Sequence, residues 1–139
     1  MTVTFTAGMA LAELRAVEFE AGIAQAKKEG KLVLVDFYTT WCRDCKKMDK
    51  DTLSDPELAK ALSSKFVFVK VDGTKQSELA AKYEVVAYPT IVALDAGGVR
   101  LSQRIGYMSK DELRAFMDYV SSGAYKSRSF NDYMKSKKK

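Results

Sequence analysis

Leu32-Val33-Leu34-Val35-Asp36-Phe37-Tyr38 runs through Thr39-Thr40 into Trp41-Cys42-Arg43-Asp44-Cys45, and this junction decides how the chain is read. The first stretch is too apolar and too short for anything but a buried strand. Cys42 and Cys45 are the only two cysteines in the chain. In the first turn of a helix, residues i and i+3 face one side, so the two sulfurs can meet. The first cysteine also sits where unpaired backbone N–H groups and the helix dipole favour negative charge. A thiol of ordinary pKa, near ~8.5, is only a few per cent thiolate at neutral pH; lowered to about 7 it is roughly half thiolate. A strand ending in a C-x-x-C that opens a helix is therefore a redox arrangement, with Cys42 as nucleophile and Cys45 as resolving thiol.

Two other uses of the pair stand beside this one. A structural disulfide over so short a loop removes only about 2 kcal/mol of unfolded-state entropy, a poor staple for this chain. A metal site is the other. The chain has no histidine, so a tetrahedral zinc would need carboxylates or a second subunit to complete its ligands. Copper(I), or an iron–sulfur cluster shared between two subunits, stays open to a pair of thiolates. No metal site is expected.

The 139 residues suit one domain with one core, and 47% hydrophobic with 29% charged residues is ordinary for a globular protein. The longest apolar runs, Leu32–Val35 and Phe66–Val69, are far too short to cross a bilayer. The net charge is +5, of which Lys135, Lys137, Lys138 and Lys139 supply four, leaving a nearly neutral body. A solvated, frayed basic tail is expected. No basic helix face or aromatic–basic platform suggests a nucleic-acid partner.

Working outward from the cysteines, Glu18–Glu29 reads as an amphipathic helix with Phe19, Ile23 and Ala26 on one face and Gly30 as its stop. Met1–Ala7 alternates weakly. A helix opens at the cysteine pair and runs to about Asp51. Asp55 caps another, with Pro56 at its first position. Phe66–Val71 is a second buried strand, and Ser77–Tyr83 a short helix. Ile91–Leu94 and Val99–Ile105 form a hairpin about Asp95-Ala96-Gly97-Gly98. Ser109-Lys110-Asp111-Glu112 is a capping box for a helix over Lys110–Ser121, with Leu113, Phe116, Met117 and Val120 as its core stripe. Phe130, Tyr133 and Met134 predict a short extra helix docked on the body. The order gives an α/β fold, a mixed sheet covered by helices on both faces.

Four features in this order resemble the thioredoxin superfamily: Val35-Asp36-Phe37, Trp41-Cys42-x-x-Cys45-Lys46, Tyr88-Pro89-Thr90, and Ile105-Gly106 before the last core helix. Lys31–Phe37, Cys45-Lys46-Lys47-Met48 and Thr52–Pro56 are similar to one branch, the exported thioredoxin-like proteins that include the C-terminal domain of the thiol:disulfide interchange protein DsbD. The resemblance implies a thioredoxin-like fold in a single domain over 1–139, its core at about 18–122, with an N-terminal extension and a C-terminal extension over 123–139.

It also implies roles. Pro89 would be a cis-proline beside the active site, leaving the Tyr88 backbone free to pair with an extended substrate segment. Asp36 would be a partly buried acid of raised pKa that takes and returns the proton of Cys45. Trp41 would pack and shield the disulfide edge. Arg43, between the cysteines, should stabilise the Cys42 thiolate and contact substrate, while Asp44 should oppose that charge. Many thioredoxins place a lysine four residues before the aspartate ending the second central strand; here that position is Phe68, so Asp36 is expected to lack its cation.

The expected activity is dithiol–disulfide exchange with protein disulfides, needing no cofactor beyond the cysteine pair and drawing on an upstream thiol reductant or oxidant. The alternatives are a disulfide isomerase or oxidase, a non-turnover redox-sensing or client-binding module, and a thiolate metal carrier. A monomer without stable membrane insertion is expected. The first basic residue is Arg15, and Met1–Leu14 lacks the apolar segment of a secretory signal. With the exported branch as guide, the expected place is periplasmic or otherwise extracytoplasmic, as a mature form; the cytoplasm is the alternative.

Overall fold

The structure, a computed structural model, describes residues 16–137. The weak alternation of Met1–Ala7 and the final lysines Lys138 and Lys139 lie outside them.

Helix α1 (Phe19–Glu29) starts where the Glu18 carboxylate accepts the Ala21 N–H at 3.1 Å, and it stops at Gly30 in the left-handed region, φ 69°. Strand β1 (Leu32–Tyr38) follows and feeds helix α2 (Arg43–Met48), which widens into a π turn over Asp49–Leu53. The single helix expected to about Asp51 is thus two forms end to end. Helix α3 (Pro56–Lys65) is capped by the Asp55 carboxylate, 2.9 Å from Leu58 N, with Pro56 in the first turn. Next come β2 (Phe66–Asp72), α4 (Ser77–Lys82), β3 (Thr90–Leu94) and β4 (Arg100–Ile105). The capping box is present at α5 (Lys110–Ser121), Ser109 and Glu112 exchanging bonds of 3.1 and 3.2 Å. A 3₁₀ turn at Ala124–Lys126 leads to α6 (Phe130–Lys137).

The strands line up as β2-β1-β3-β4, with β1 parallel to β2 and antiparallel to β3, and β3 antiparallel to β4. Side chains alternate across this sheet, which divides the core in two. Leu34, Phe68, Ile91 and Ala93 face α2, α3, α5 and α6, meeting Met48, Leu58, Leu62, Leu113, Phe116 and Phe130. Val33, Val35, Phe37, Val69 and Val92 face α1 and α4, meeting Phe19, Ala26, Ala80 and Tyr83. The central strand is therefore apolar on both faces, as a strand covered by helices on both sides must be. Asp36 is the exception within it.

Candidate active site

The strand–helix junction brings the cysteines together as the spacing requires. Cys42 has extended backbone and caps α2, and its Sγ accepts the Cys45 backbone N–H at 3.1 Å. Cys42 and Cys45 are joined as a disulfide with Cα atoms 5.3 Å apart. Both are buried, Cys42 at 8% exposure and Cys45 at 4%. In the reduced form, the N–H that points at Cys42 Sγ would favour a thiolate there over one at Cys45.

Two segments meet over the cysteine pair. Trp41, Cys42, Arg43 and Asp44 from the start of α2, with Val86, Ala87 and Tyr88 from the loop before β3, line a hollow of about 480 Å³. The Tyr88–Pro89 peptide is cis. Thr90 Oγ1 donates to Ala87 O at 2.7 Å, and Gly106 N–H donates to Pro89 O at 2.8 Å, tying the loop to the end of β4. Arg43 and Asp44 are exposed. Trp41 corrects one expectation: at 72% exposure its ring stands in solvent rather than packing on the body.

Asp36 sits in the middle of β1 at 1% exposure, with Oδ1 making no hydrogen bond among the described residues. Burial pushes its carboxyl up to about 7, the nearby Lys70 ammonium working against that rise and the Asp49 carboxylate adding to it. The expectation that Asp36 lacks a cation is overturned. Parallel pairing sets Asp36 opposite Lys70, and Lys70 Nζ lies 3.7 Å from Asp36 Oδ2. Lys70 is shared, because its shorter contact is to Asp49 Oδ1 at 2.8 Å, and its ammonium also lies over the Tyr38 ring, 4.8 Å from the centroid. Phe68, two residues earlier on the same face, packs in the core. Sequence reading missed Lys70, Asp49 and Val86. Lys70 was recoverable: sliding the two apolar runs together from their first residues, Leu32 on Phe66, sets it against Asp36.

Fold and site together define an α/β protein with a dithiol–disulfide centre at the head of a helix, under a cis-proline loop. The chain belongs to the thioredoxin-like domain family, whose pattern matches residues 19–121. It is 36% identical over 103 residues to a thioredoxin of Mycoplasma genitalium, covering 73% of this chain and 91% of that protein. It is 32% identical over 109 residues to the thiol:disulfide interchange protein DsbD of Colwellia psychrerythraea, covering 74% of this chain and 18% of that longer protein. Among solved structures, the DsbH oxidoreductase superposes with a TM-score of 0.67 at 25% identity, over 92% of this chain and 95% of that one. A thioredoxin from Thermus thermophilus gives 0.71 at 27% identity, over 78% and 88%. Among the described residues no helix is long and apolar enough to cross a membrane, and no cluster of three or more metal-ligating side chains occurs.

Proposed function

We propose that this protein is a thiol–disulfide oxidoreductase that reduces protein disulfides through the Cys42–Cys45 couple. The observation that carries the reading is Cys42 capping α2, its sulfur bonded by the Cys45 N–H and facing the hollow under Trp41 and Tyr88. In the reduced protein the Cys42 thiolate attacks one sulfur of a substrate disulfide. A Cys42–substrate bond forms, the substrate S–S bond breaks, and the leaving thiolate takes a proton from water. Cys45 then gives its proton to Asp36 and attacks Cys42 Sγ. The second substrate thiolate leaves, and two electrons have passed from the dithiol to the substrate.

Asp36 suits the proton transfer because its acidity lies near neutrality, so it can take a proton and return it without a large energetic step. Lys70 keeps the ionised form accessible in an otherwise apolar setting. Arg43 favours the Cys42 thiolate and Asp44 moderates it, an intervening pair without the histidine of strong oxidants. Trp41, Tyr88 and Pro89 hold the substrate segment. The reaction uses no cofactor beyond the cysteine pair, and a separate dithiol protein restores the reduced state. The unit that does this is one domain, its core at about 18–122 and its extension over 123–139. Likeness to DsbD supports a periplasmic or other extracytoplasmic setting, which fractionation of the native host tests.

The deciding experiment equilibrates the protein in redox buffers, traps free thiols, and repeats the assay with Cys45→Ser and a protein disulfide. The expected outcome is a reversible couple near or below about −250 mV, with Cys45→Ser trapping a mixed disulfide through Cys42. A potential of about −120 to −180 mV would replace reduction by oxidase or isomerase work. Absence of any reversible couple would overturn the exchange reading.

A further inference from the structure

Beyond α5, basic residues outnumber acidic ones: Lys126, Arg128, Lys135, Lys137, Lys138 and Lys139 share that stretch with a single carboxylate, Asp132. Of those expected in a frayed tail, Lys135 and Lys137 stand on α6. Phe130 seats that helix in the core, and the Tyr119 hydroxyl donates to Arg128 O at 2.6 Å just before it. The fold thereby gathers the cations. Arg128 Nη1 donates to Ser136 Oγ at 3.1 Å. The Arg128 guanidinium and the Lys137 ammonium both lie by the Tyr133 ring, 5.8 and 5.5 Å from its centroid. Lys126 lies 5.9 Å from the centroid of Tyr125. Lys126, Arg128, Lys135 and Lys137 are exposed, while Tyr125, Tyr133 and Met134 are half-buried. Among the described residues the one ion pair that draws on this group joins Lys137 to Asp118 at 3.8 Å, an exposed contact worth under about 1 kcal/mol. No described residue of the extension lines the hollow over Cys42.

We propose that residues 123–139 form a docking surface for anionic phospholipid headgroups, which holds the protein against a membrane by charge without inserting it. Each lysine or arginine close to an acidic bilayer gains about 1 kcal/mol, so a cluster of this size adsorbs where a scattered charge does not. Headgroups offer a continuous negative field that demands no register, and the cluster has no groove or repeat that would impose one. Tyrosine, apolar along the ring and polar at its tip, suits the depth at which headgroups lie. A single-stranded nucleic acid fits less well. It binds by stacking bases on open aromatic faces, and the Tyr125 and Tyr133 rings already lie against cations of the same chain. Length keeps the contact at the surface: α6 has eight residues, about 12 Å of helix against a hydrocarbon layer of about 30 Å. The cysteine pair works beside such a surface rather than under it.

The test floats the full chain with vesicles of phosphatidylcholine alone, or of phosphatidylcholine with about 30% phosphatidylglycerol. At low salt the expected result is binding to the acidic vesicles only, lost as salt approaches about 1 M, where the screening length is about 3 Å. Lys135→Gln with Lys137→Gln should lower the partition coefficient about 25-fold, about fivefold for each cation. Lys27→Gln with Lys28→Gln removes the same charge from exposed positions of α1 and should change it by less than about twofold. Equal losses in the two double variants would overturn the assignment to this surface, since net charge alone would then govern binding. Failure to bind the acidic vesicles, or equal binding to both kinds, would overturn the proposal outright. Tighter binding to a mixed-sequence single-stranded oligonucleotide than to acidic vesicles, at the same salt, would overturn lipid as the partner.

Discussion

Asp36 is a carboxyl at 1% exposure whose acidity burial moves from the ordinary 3.8 up to about 7. That shift fixes how the fold responds to pH. Between about pH 4 and 7 the unfolded chain releases this proton while the folded chain keeps it, so stability conferred at low pH is lost as pH rises through that window. Asp36→Asn removes the loss. The variant should be more stable than the parent by about 2–4 kcal/mol at pH 8 and nearly equal to it at pH 4. Urea denaturation of the oxidised form at both pH values measures this, and equal gains at the two would refute the assignment. A carboxylate inside an apolar strand is visible in a sequence, but its acidity is not, because its burial depends on helices far along the chain. Trp41 shows the same limit from the other side: nothing local distinguishes an aromatic that packs from one left in solvent.

Among elements, pairing register carries more than the elements' own boundaries. Strand and helix limits read from periodicity and caps agree with the structure to within a residue or two, since Asp55-Pro56, Ser109–Glu112 and Gly30 each act locally. The π turn at Asp49–Leu53 was not legible, nor was its result, an Asp49 carboxylate on the ammonium of Lys70. Lys70 serves two carboxylates at once, 2.8 Å from the outer and 3.7 Å from the buried one. Lys70→Met leaves Asp36 without a counter-charge and makes it harder to ionise. In a profile of log kcat/KM against pH, the limb assigned to Asp36 should move upward from about 7 by about one unit or more. An unmoved limb would show that the lysine acts only as a surface ion pair.

Across the whole molecule, the extension beyond the matched family region is built into the core rather than hung on it. Phe130 of α6, 7% exposed, meets Phe116 and Tyr119 of α5 edge-on at 5.5 and 5.4 Å, and the Arg104 guanidinium of β4 lies 4.8 Å from its ring. Phe130→Ala should cost about 3 kcal/mol in urea denaturation while leaving the potential of the Cys42–Cys45 couple unchanged. A shifted potential would mean that α6 reaches the site. The apolar spacing of Phe130, Tyr133 and Met134 announced that helix; its contact with β4 required the folded sheet.

Charge is divided just as sharply. Residues 123–139 contain six lysines and arginines and one aspartate, and the whole chain carries 23 basic and 18 acidic residues, so the extension holds +5 and residues 1–122 sum to zero. As a colloid, the molecule is a neutral particle with one cationic handle. Mutual repulsion between copies, retention on a cation exchanger and mobility in an electric field thus all depend on the last seventeen positions, while the redox unit itself is close to isoelectric at neutral pH.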